Sequence, residues 1–271
     1  MSGPSRVVLA GLPWDGSSSF LRGAARGPSA IRDALWSPSS NSWTESGLDL
    51  ASARADGRFV DGGDFDVGST PDDSVGLIRD GVGRLLGAGD RVLSLGGDHS
   101  VTYPVLEAHA RHGIRPAVLH IDAHADLYDV FDDNRLSHAC PFARIMESGL
   151  ATRLVQVGIR TLNQHQREQA ARFGVEIVEM RAWSPCLELS FDEPVYVSLD
   201  LDALDPAYAP GVSHHEPGGL STRDVIGLLQ RVQGCVIGAD VVELNPARDL
   251  HGVTAMVAAR FVKELVGRML T

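Results

Sequence analysis

Cysteine is scarce in this sequence, and long apolar runs are absent. Three cysteines among 271 residues stand far apart, with no C-x-x-C pair, which argues against a disulfide framework or a thiolate zinc site. No stretch reaches the roughly 18 uncharged apolar residues that a membrane-spanning helix needs. The first residues also lack the basic and apolar regions of a secretory signal peptide. These absences predict a cytoplasmic protein that does not enter a membrane.

Positive charge is also in short supply. The 24 lysines and arginines are outnumbered by 35 aspartates and glutamates, so the formal net charge is −11. A surface of this sign disfavours nucleic acids and anionic membranes as partners, and it is compatible with a small cationic substrate. No linker, internal repeat or low-complexity tract divides the sequence, which predicts one domain over residues 1–271.

Buried strands and amphipathic helices alternate along the chain. An apolar run at 92–95, for example, follows a segment with helical spacing at 74–86. Near-continuous apolar strands are typical of a parallel sheet covered on both faces, so we predict an α/β fold with a mainly parallel central sheet. Two local predictions accompany it. Residues 37–55 form a polar excursion, and the last helix runs from about 254 to 269 with Thr254 as its cap.

Three of the predicted strands end in residues of the kinds that bind metals. These are His99 after one strand, Asp122, His124 and Asp126 after the next, and Asp200 with Asp202 at a third. Residues two apart on an extended backbone point the same way, so each set presents its side chains on one side. Two imidazoles and four carboxylates suffice for two metal ions that share aspartates. Oxygen-rich ligation suits Mn(II) better than structural zinc.

The alternative interpretation of these six residues is an unrelated set of solvated or capping side chains. Three such sets at the carboxyl ends of strands, where ligands bind in parallel sheets, favour the metal site. His120 shares the alternating phase of Asp122, but the other six already complete a two-metal set. We therefore expect His120 to be a core residue or to support a metal ligand.

Several motifs of the sequence resemble a known family. G-G-D-H-S at 96–100, D-A-H-x-D at 122–126 and S-x-D-x-D-x-x-D-P at 198–206 are similar to the signatures of the ureohydrolases, the family of arginases and agmatinases. S-H-A-C-P-F, P-G-V-S-H-H-E-P-G-G-L-S and G-A-D-V-V-E-L-N-P-A-R-D resemble plant-type arginases. The resemblance implies a three-layer α/β/α sandwich, two Mn(2+) per subunit and a homo-oligomer, either a trimer or a hexamer.

The resemblance also implies a role for each candidate site residue. One ion would be held by His99, Asp122, Asp126 and Asp200, and the other by Asp122, His124, Asp200 and Asp202. Asp122 and Asp200 would thus bridge the two ions, which would lower the pKa of a shared water and supply hydroxide at neutral pH. Asp126 would accept a hydrogen bond from that hydroxide and orient it.

Two further residues complete the chemistry that the resemblance implies. Glu243 matches the glutamate that binds the guanidinium group, since a carboxylate can form a bidentate charge-assisted pair with that planar cation. His138 matches the histidine that protonates the leaving amine, a task suited to an ordinary pKa near 6.5. Asp240 is expected to orient a metal ligand.

The sequence leaves the far end of the substrate open. Asn163 and His214 are predicted substrate contacts, whereas His214 and His215 also suit a turn. Asn134 or Arg135 could meet a substrate carboxylate, whereas Asp129, Asp132 and Asp133 would attract the free amine of agmatine. The resemblance to plant-type arginases, which includes Tyr128 and the G-I-R-x-x-N-Q run at 158–164, makes L-arginine the first prediction, and agmatine or guanidinobutyrate the alternative. A binuclear phosphoesterase is disfavoured because Glu243 would repel phosphate, and a non-catalytic paralogue because no site position has been lost.

Overall fold

The computed structural model describes residues 6–271, and all of its eight strands lie in one sheet. The strands, β1 to β8 in chain order, are Val7–Leu12, Phe59–Asp64, Arg91–Gly96, Ala117–Ile121, Arg153–Ile159, Glu176–Glu179, Val195–Asp200 and Val236–Val242. Every neighbouring pair is parallel, and the spatial order is β2-β1-β3-β8-β7-β4-β5-β6. The predicted parallel sheet is confirmed.

Within residues 6–271, eight α-helices cover the two faces of the sheet. They are, as α1 to α8, Gly27–Leu35, Leu50–Ala55, Pro71–Gly87, Thr102–Arg111, Pro141–Glu147, Gln164–Phe173, Thr222–Arg231 and Val253–Leu270. One hydrophobic core lies under α1, α2, α7 and α8, and a second lies under α3 to α6. The predicted three-layer α/β/α sandwich is therefore also confirmed. Among residues 6–271, no helix combines the length and apolar character needed to cross a bilayer.

The apolar runs become strands because both of their faces are buried. Successive side chains of a strand point to opposite faces. In β4, Leu119 packs into the first core and Val118 into the second. In β7, Val197 and Tyr196 divide in the same way. A strand that buries both faces is apolar at most of its positions, which explains the near-continuous apolar pattern.

Two local predictions about secondary structure are wrong. Residues 50–55, expected within a polar excursion, form α2, because Asp49 accepts hydrogen bonds from the free backbone amides of Ala51 and Ser52. At the last helix, Thr254 is not the cap. The helix begins at Val253 after the left-handed Gly252, and the carboxylate of Asp249 accepts from the amides of Thr254 and Ala255.

Candidate metal centre and substrate pocket

Four neighbouring strands in the middle of the sheet end at one place, and each leads into residues of the predicted site. These strands are β3, β8, β7 and β4, in that spatial order. His99 lies after β3, Glu243 after β8, Asp200 and Asp202 at the end of β7, and Asp122, His124 and Asp126 after β4. The carboxyl ends of parallel strands share one edge, so the topology brings together residues that are far apart in the chain.

His99 is the centre of the first group of side chains. Its Nδ1 atom lies 3.1 Å from Asp122 Oδ2, 3.2 Å from Asp126 Oδ2 and 3.0 Å from Asp200 Oδ2. All four side chains are buried. Three carboxylates in such a small, dry volume repel one another strongly, and this repulsion calls for a positive charge among them.

The hydrogen bonds behind His99 determine which of its nitrogens carries a proton. Ser198 Oγ donates its hydrogen to Asp240 Oδ1 at 2.7 Å, so Ser198 Oγ can only accept from His99 Nε2, which lies 2.9 Å away. Neutral His99 then turns its Nδ1 lone pair toward the carboxylates, and Nδ1 has no hydrogen-bond partner. Burial alone would lower the pKa of His99, but the surrounding carboxylates raise it well above its ordinary value. The carboxylates thus favour a positive charge at this position, either a proton on Nδ1 or a metal ion bound to it.

His124 is the centre of the second group. Its Nδ1 atom lies 3.0 Å from Asp202 Oδ2 and 3.5 Å from Asp122 Oδ1, so Asp122 contacts both groups with different oxygens. Burial raises the pKa of Asp202 to about 7. Burial, together with the charges of Asp202 and Asp122, raises the pKa of Asp200 well above its ordinary value. Ionising these carboxylates is costly until a cation compensates them.

The donor atoms of the two groups fit divalent metal ions. Ligand atoms of Asp122, His124 and Asp202 lie within 4.8 Å of one another, as do ligand atoms of His99, His120, Asp122 and Asp126. Neither group includes a thiol. Carboxylate oxygens with a minority of imidazole nitrogens are the ligands of hard and borderline divalent ions.

The backbone around these ligands differs from the predicted extended one. β4 ends at Ile121, before the D-x-H-x-D set, and Asp126 has a left-handed backbone with φ of 51°. Asp202 lies in a 3₁₀ turn, where its amide donates to Asp200 Oδ1 at 2.8 Å. The side chains converge because the chain turns around the site. Simple alternation does not account for their direction.

A cavity of about 190 Å³ opens above the two groups. Its lining includes ligand-type residues as well as Glu243, His138, His214, Tyr128 and Phe131. Glu243 is buried, has a left-handed backbone with φ of 68°, and accepts a hydrogen bond from the His99 amide at 2.9 Å through Oε1. Non-glycine residues in this conformation carry strain and often occur at functional sites.

His138 lies beside Glu243 in the wall of the cavity. Its Nδ1 atom is 3.7 Å from Glu243 Oε1, and its Nε2 atom is 2.9 Å from Ser19 Oγ. Burial alone would lower the pKa of His138, but Glu243 raises it to about 9. The imidazole is therefore protonated at neutral pH and can act as an acid toward a group bound in the cavity.

The other predicted substrate residues have different surroundings. His214 lines the cavity, and its ring stacks on that of His138 at 5.0 Å. His215 is directed elsewhere, because its Nε2 donates to Pro210 O at 2.8 Å within a turn. Asn163 caps α6: its Oδ1 accepts from the Gln166 amide, and its Nδ2 donates to Tyr128 Oη at 2.7 Å.

Comparison with known proteins gives the family. The family model described as "Arginase family" matches residues 5–267. The chain belongs to the arginase family. It is 50% identical over 277 residues to "Arginase 1, mitochondrial" of Arabidopsis thaliana, an alignment that covers 96% of this chain and 80% of the relative. It is 39% identical to N(1)-aminopropylagmatine ureohydrolase of Thermus thermophilus, covering 97% and 90% of the two chains.

A solved arginase has the same fold. The structure of the arginase from Medicago truncatula is similar to this chain with a TM-score of 0.93 and 46% sequence identity, covering 98% of this chain and 88% of that one. The resemblance to the arginase and agmatinase family, and to plant-type arginases within it, is thereby confirmed. Proteins of the arginase family are metal-dependent ureohydrolases, and this chain is a ureohydrolase with a cluster of histidines and aspartates that could bind metal.

The predicted cytoplasmic location is wrong. The similar arginase of Arabidopsis, whose alignment covers 96% of this chain, is named as mitochondrial. The similar rice and Medicago enzymes are also named as mitochondrial. The prediction depended on scarce cysteine and on the lack of signal-peptide features. Neither observation separates the cytoplasm from the interior of an organelle, because both are compatible with reduced thiols.

Sequence reasoning missed several residues that contact the site of this arginase-family chain. Ser19 bonds to His138, and Glu216 Oε1 lies 3.7 Å from His124 Nε2. Both come from loops without a periodic pattern, so no sequence signal indicated them. Ser198 is different, because it precedes Asp200 by two residues and therefore points to the same face of β7. Alternation could have identified it.

Proposed function

We propose that the chain hydrolyses L-arginine to L-ornithine and urea at a pair of manganese ions. The observation that carries this proposal is the position of Glu243. Its buried carboxylate shares one cavity with two groups of ligand-type residues. A cavity that holds a carboxylate beside such a centre suits a cationic, planar group that is attacked at carbon. The similarity to plant arginases over 96% or more of the chain supports arginine as the substrate.

The metal ligands are assigned as the sequence predicted. His99, Asp122, Asp126 and Asp200 would hold one ion, and Asp122, His124, Asp200 and Asp202 the other. When bound, the two ions would lower the pKa of a shared water and so supply a nucleophile near neutral pH. The contacts of Asp122 with both His99 and His124 support a bridging role for this aspartate. The oxygen-rich donor set supports manganese, and the presence of two groups of ligands supports a count of two.

Glu243 binds and orients the guanidinium group. Its Oε1 atom already accepts from the His99 amide, so the carboxylate is held in place before substrate arrives. A guanidinium donates two parallel hydrogen bonds to a carboxylate, which fixes the plane of the group and the direction of its central carbon. Asp126, at the floor of the same cavity, orients the attacking water by accepting one of its hydrogens.

His138 supplies the proton that the leaving amine requires. Its pKa of about 9 keeps the imidazole charged at neutral pH while Glu243 is free. A bound guanidinium neutralises Glu243 and thereby weakens the hold on that proton. His138 is thus an acid when the carbon–nitrogen bond breaks. His214, stacked on the imidazole, shapes the wall of the cavity and limits the movement of the ring.

The mouth of the cavity favours a substrate with a carboxylate at its far end. Tyr128 Oη accepts from Asn163 Nδ2, which leaves its own hydrogen free to donate. Gln166, also in the lining, uses Oε1 to accept from the Asn163 amide, and its Nε2 remains a donor. Asp129, the predicted partner of an amine, instead pairs with Arg135 and Arg144, and the same pairing engages Arg135, the predicted partner of a carboxylate. This arrangement suits arginine better than agmatine.

Urea release from a panel of guanidino compounds tests the proposal. The protein is stripped with a chelator, reloaded with Mn(2+) or Zn(2+), and assayed with arginine, agmatine and guanidinobutyrate. We expect the protein to release urea from arginine after loading with manganese but not after loading with zinc. The manganese-loaded protein should hold two ions per chain. The Asp200→Ala variant should lose both activity and manganese binding. Manganese-loaded protein that releases no urea from any compound would refute the hydrolase assignment.

Two further parts of the proposal concern the whole protein. We expect residues 1–271 to behave as one ureohydrolase domain and to assemble into a homo-oligomer, either a trimer or a hexamer. Sedimentation equilibrium of the manganese-loaded protein distinguishes the two assemblies, since three and six chains of 29.0 kDa differ twofold in mass. A monomer at assay concentrations would contradict this part.

A further inference from the structure

Five buried polar residues form one row across the sheet, one layer below the metal ligands. The polar row consists of Ser94, Asp240, Ser198, His120 and Gln156, on β3, β8, β7, β4 and β5. Each is in register with the next, so all five side chains lie on one face. All are fully buried. Buried polar groups are costly unless they are satisfied, so each member calls for a physical explanation.

The orientation of the Gln156 amide is fixed by its surroundings. Its Nε2 atom lies 2.6 Å from Ala125 O, and a carbonyl oxygen can only accept. The same nitrogen lies 2.9 Å from His120 Nδ1. Its Oε1 atom is buried without a hydrogen-bond partner. Gln156 therefore leaves its acceptor unpaired, at a cost of about 1–3 kcal/mol, while its two amide hydrogens serve Ala125 and His120.

This orientation fixes the tautomer of His120. Because Nδ1 faces an amide donor, it must present a lone pair, and the ring hydrogen is left on Nε2. His120 Nε2 lies 2.7 Å from Asp122 Oδ2 and donates to it. The ring cannot tilt freely, since it stacks on Phe142 with centroids 3.8 Å apart. His120 thus points a fixed donor at the aspartate that contacts both groups of ligands.

We propose that His120 is a positioning residue for Asp122 and that Gln156 holds it in the required tautomer. This inference rests on the proposed metal centre. One nitrogen of His120 is occupied by Gln156 and the other by Asp122, so neither is left for a metal. Asp122 is then held from two sides, by His120 at Oδ2 and by the His124 amide at Oδ1, 2.6 Å away. A carboxylate fixed in this way keeps its remaining lone pairs directed at both ligand groups.

Neutron crystallography of the manganese-loaded protein tests the tautomer directly. We expect a deuterium atom on Nε2 of His120 and none on Nδ1, together with two deuterium atoms on Gln156 Nε2. A deuterium on Nδ1 of His120 would overturn the proposal, whatever the activity of the enzyme. His109, a buried histidine on α4 whose Nδ1 donates to Val105 O at 3.0 Å, gives the opposite pattern and serves as an internal control.

Manganese affinity tests the positioning role. We expect His120→Leu and Gln156→Leu to weaken manganese binding by about 10- to 100-fold in titration calorimetry, the usual effect of removing a group that orients a ligand. His120→Gln retains a side-chain amide near the position of Nε2 and should recover part of the affinity. Ser94→Ala is the matched control, because Ser94 belongs to the same row, has no hydrogen-bond partner for Oγ and contacts no ligand.

The outcomes separate this inference from the proposed function. If wild-type protein binds manganese and releases urea while His120→Leu and Gln156→Leu bind manganese as tightly as wild type, the positioning role is refuted and the function stands. If wild-type protein binds no manganese, the proposed function fails first. A loss of affinity equal to that of Ser94→Ala would show only general damage to the core and would also refute the role. Circular dichroism spectra confirm that each variant is folded.

Discussion

Two residues of the cavity, Asp126 and Glu243, have backbones that their residue types avoid. Both have positive φ values, 51° and 68°, and neither is a glycine. Such conformations cost of order 1–3 kcal/mol each and persist where the surrounding structure requires them. Here the left-handed turns point two carboxylates into one cavity. These two backbone conformations therefore lower the stability of the fold and, in return, place two negative charges in the cavity.

The Glu243→Gln variant tests the role of this charge. The amide retains the size of the side chain and its backbone conformation, but it cannot form a charged pair with a guanidinium. We expect kcat/KM for arginine to fall by about 100-fold or more, as when a buried charge loses its partner. Manganese binding should be unchanged, because Glu243 is not among the ligands. A loss of manganese together with activity would contradict the assignment of Glu243 to substrate.

Most residues of the candidate site could be predicted from the sequence, because each follows an apolar strand. The direction of their side chains could not. Alternation suggested an extended D-x-H-x-D segment, whereas Asp126 reaches the site through a left-handed turn. The direction of the Asn163 side chain could not be predicted either. Its predicted contact with substrate came from its position after G-I-R at 158–160, and the pattern did not show that its side chain caps α6 and donates to Tyr128.

At the scale of elements, Asn163 links the start of α6 to the mouth of the cavity, because it caps this helix and also donates to Tyr128. Replacement by alanine removes the cap and the hydrogen bond to Tyr128 together. We expect Asn163→Ala to lower the free energy of unfolding by about 1 kcal/mol and to raise KM for arginine several-fold with little change in kcat. Urea unfolding and steady-state kinetics measure the two effects.

Tyr128→Phe is the matched variant for Asn163→Ala. It removes the hydroxyl from the cavity mouth but leaves the cap of α6 in place. The rise in KM should therefore occur without the loss of stability. An unchanged KM in both variants would show that Tyr128 does not contact the substrate.

His109 on α4 gives the fold a specific sensitivity to acid. Burial lowers the pKa of His109 from 6.5 to about 4. Between these pH values the imidazole is therefore protonated in the unfolded chain and neutral in the folded chain. The free energy of unfolding consequently falls as the pH drops from 6.5 to 4, by up to about 3 kcal/mol from this residue. Above pH 6.5 the residue has no such effect.

The His109→Gln variant isolates this contribution from that of other titrating groups. We expect its free energy of unfolding, measured by urea titration at several pH values, to decline less steeply than that of wild type below pH 6.5. Parallel curves for the two proteins would show that His109 is not the source of the acid sensitivity.

At the scale of the whole molecule, the sequence predicted the layers but not the strand order. Apolar runs identify strands that are buried on both faces, and this implies a parallel sheet between two helical layers. The position of β8 between β3 and β7 depends on long-range packing, which local patterns do not encode. That position matters, because it places Glu243 beside the residues that follow β3, β7 and β4. The proposed guanidinium site is thus a consequence of the topology.

The most direct test of the account is kcat/KM for arginine, agmatine and guanidinobutyrate with the same manganese-loaded preparation. The donors at the cavity mouth, Tyr128 and Gln166, suit a carboxylate, and Asp129 is already paired with arginines. We predict that arginine exceeds agmatine, which lacks the carboxylate, by at least about 100-fold, the scale of about 3 kcal/mol for a charge recognised by hydrogen bonds. Guanidinobutyrate retains a carboxylate and measures how much of the preference that group alone provides. A higher kcat/KM for agmatine than for arginine would contradict the account.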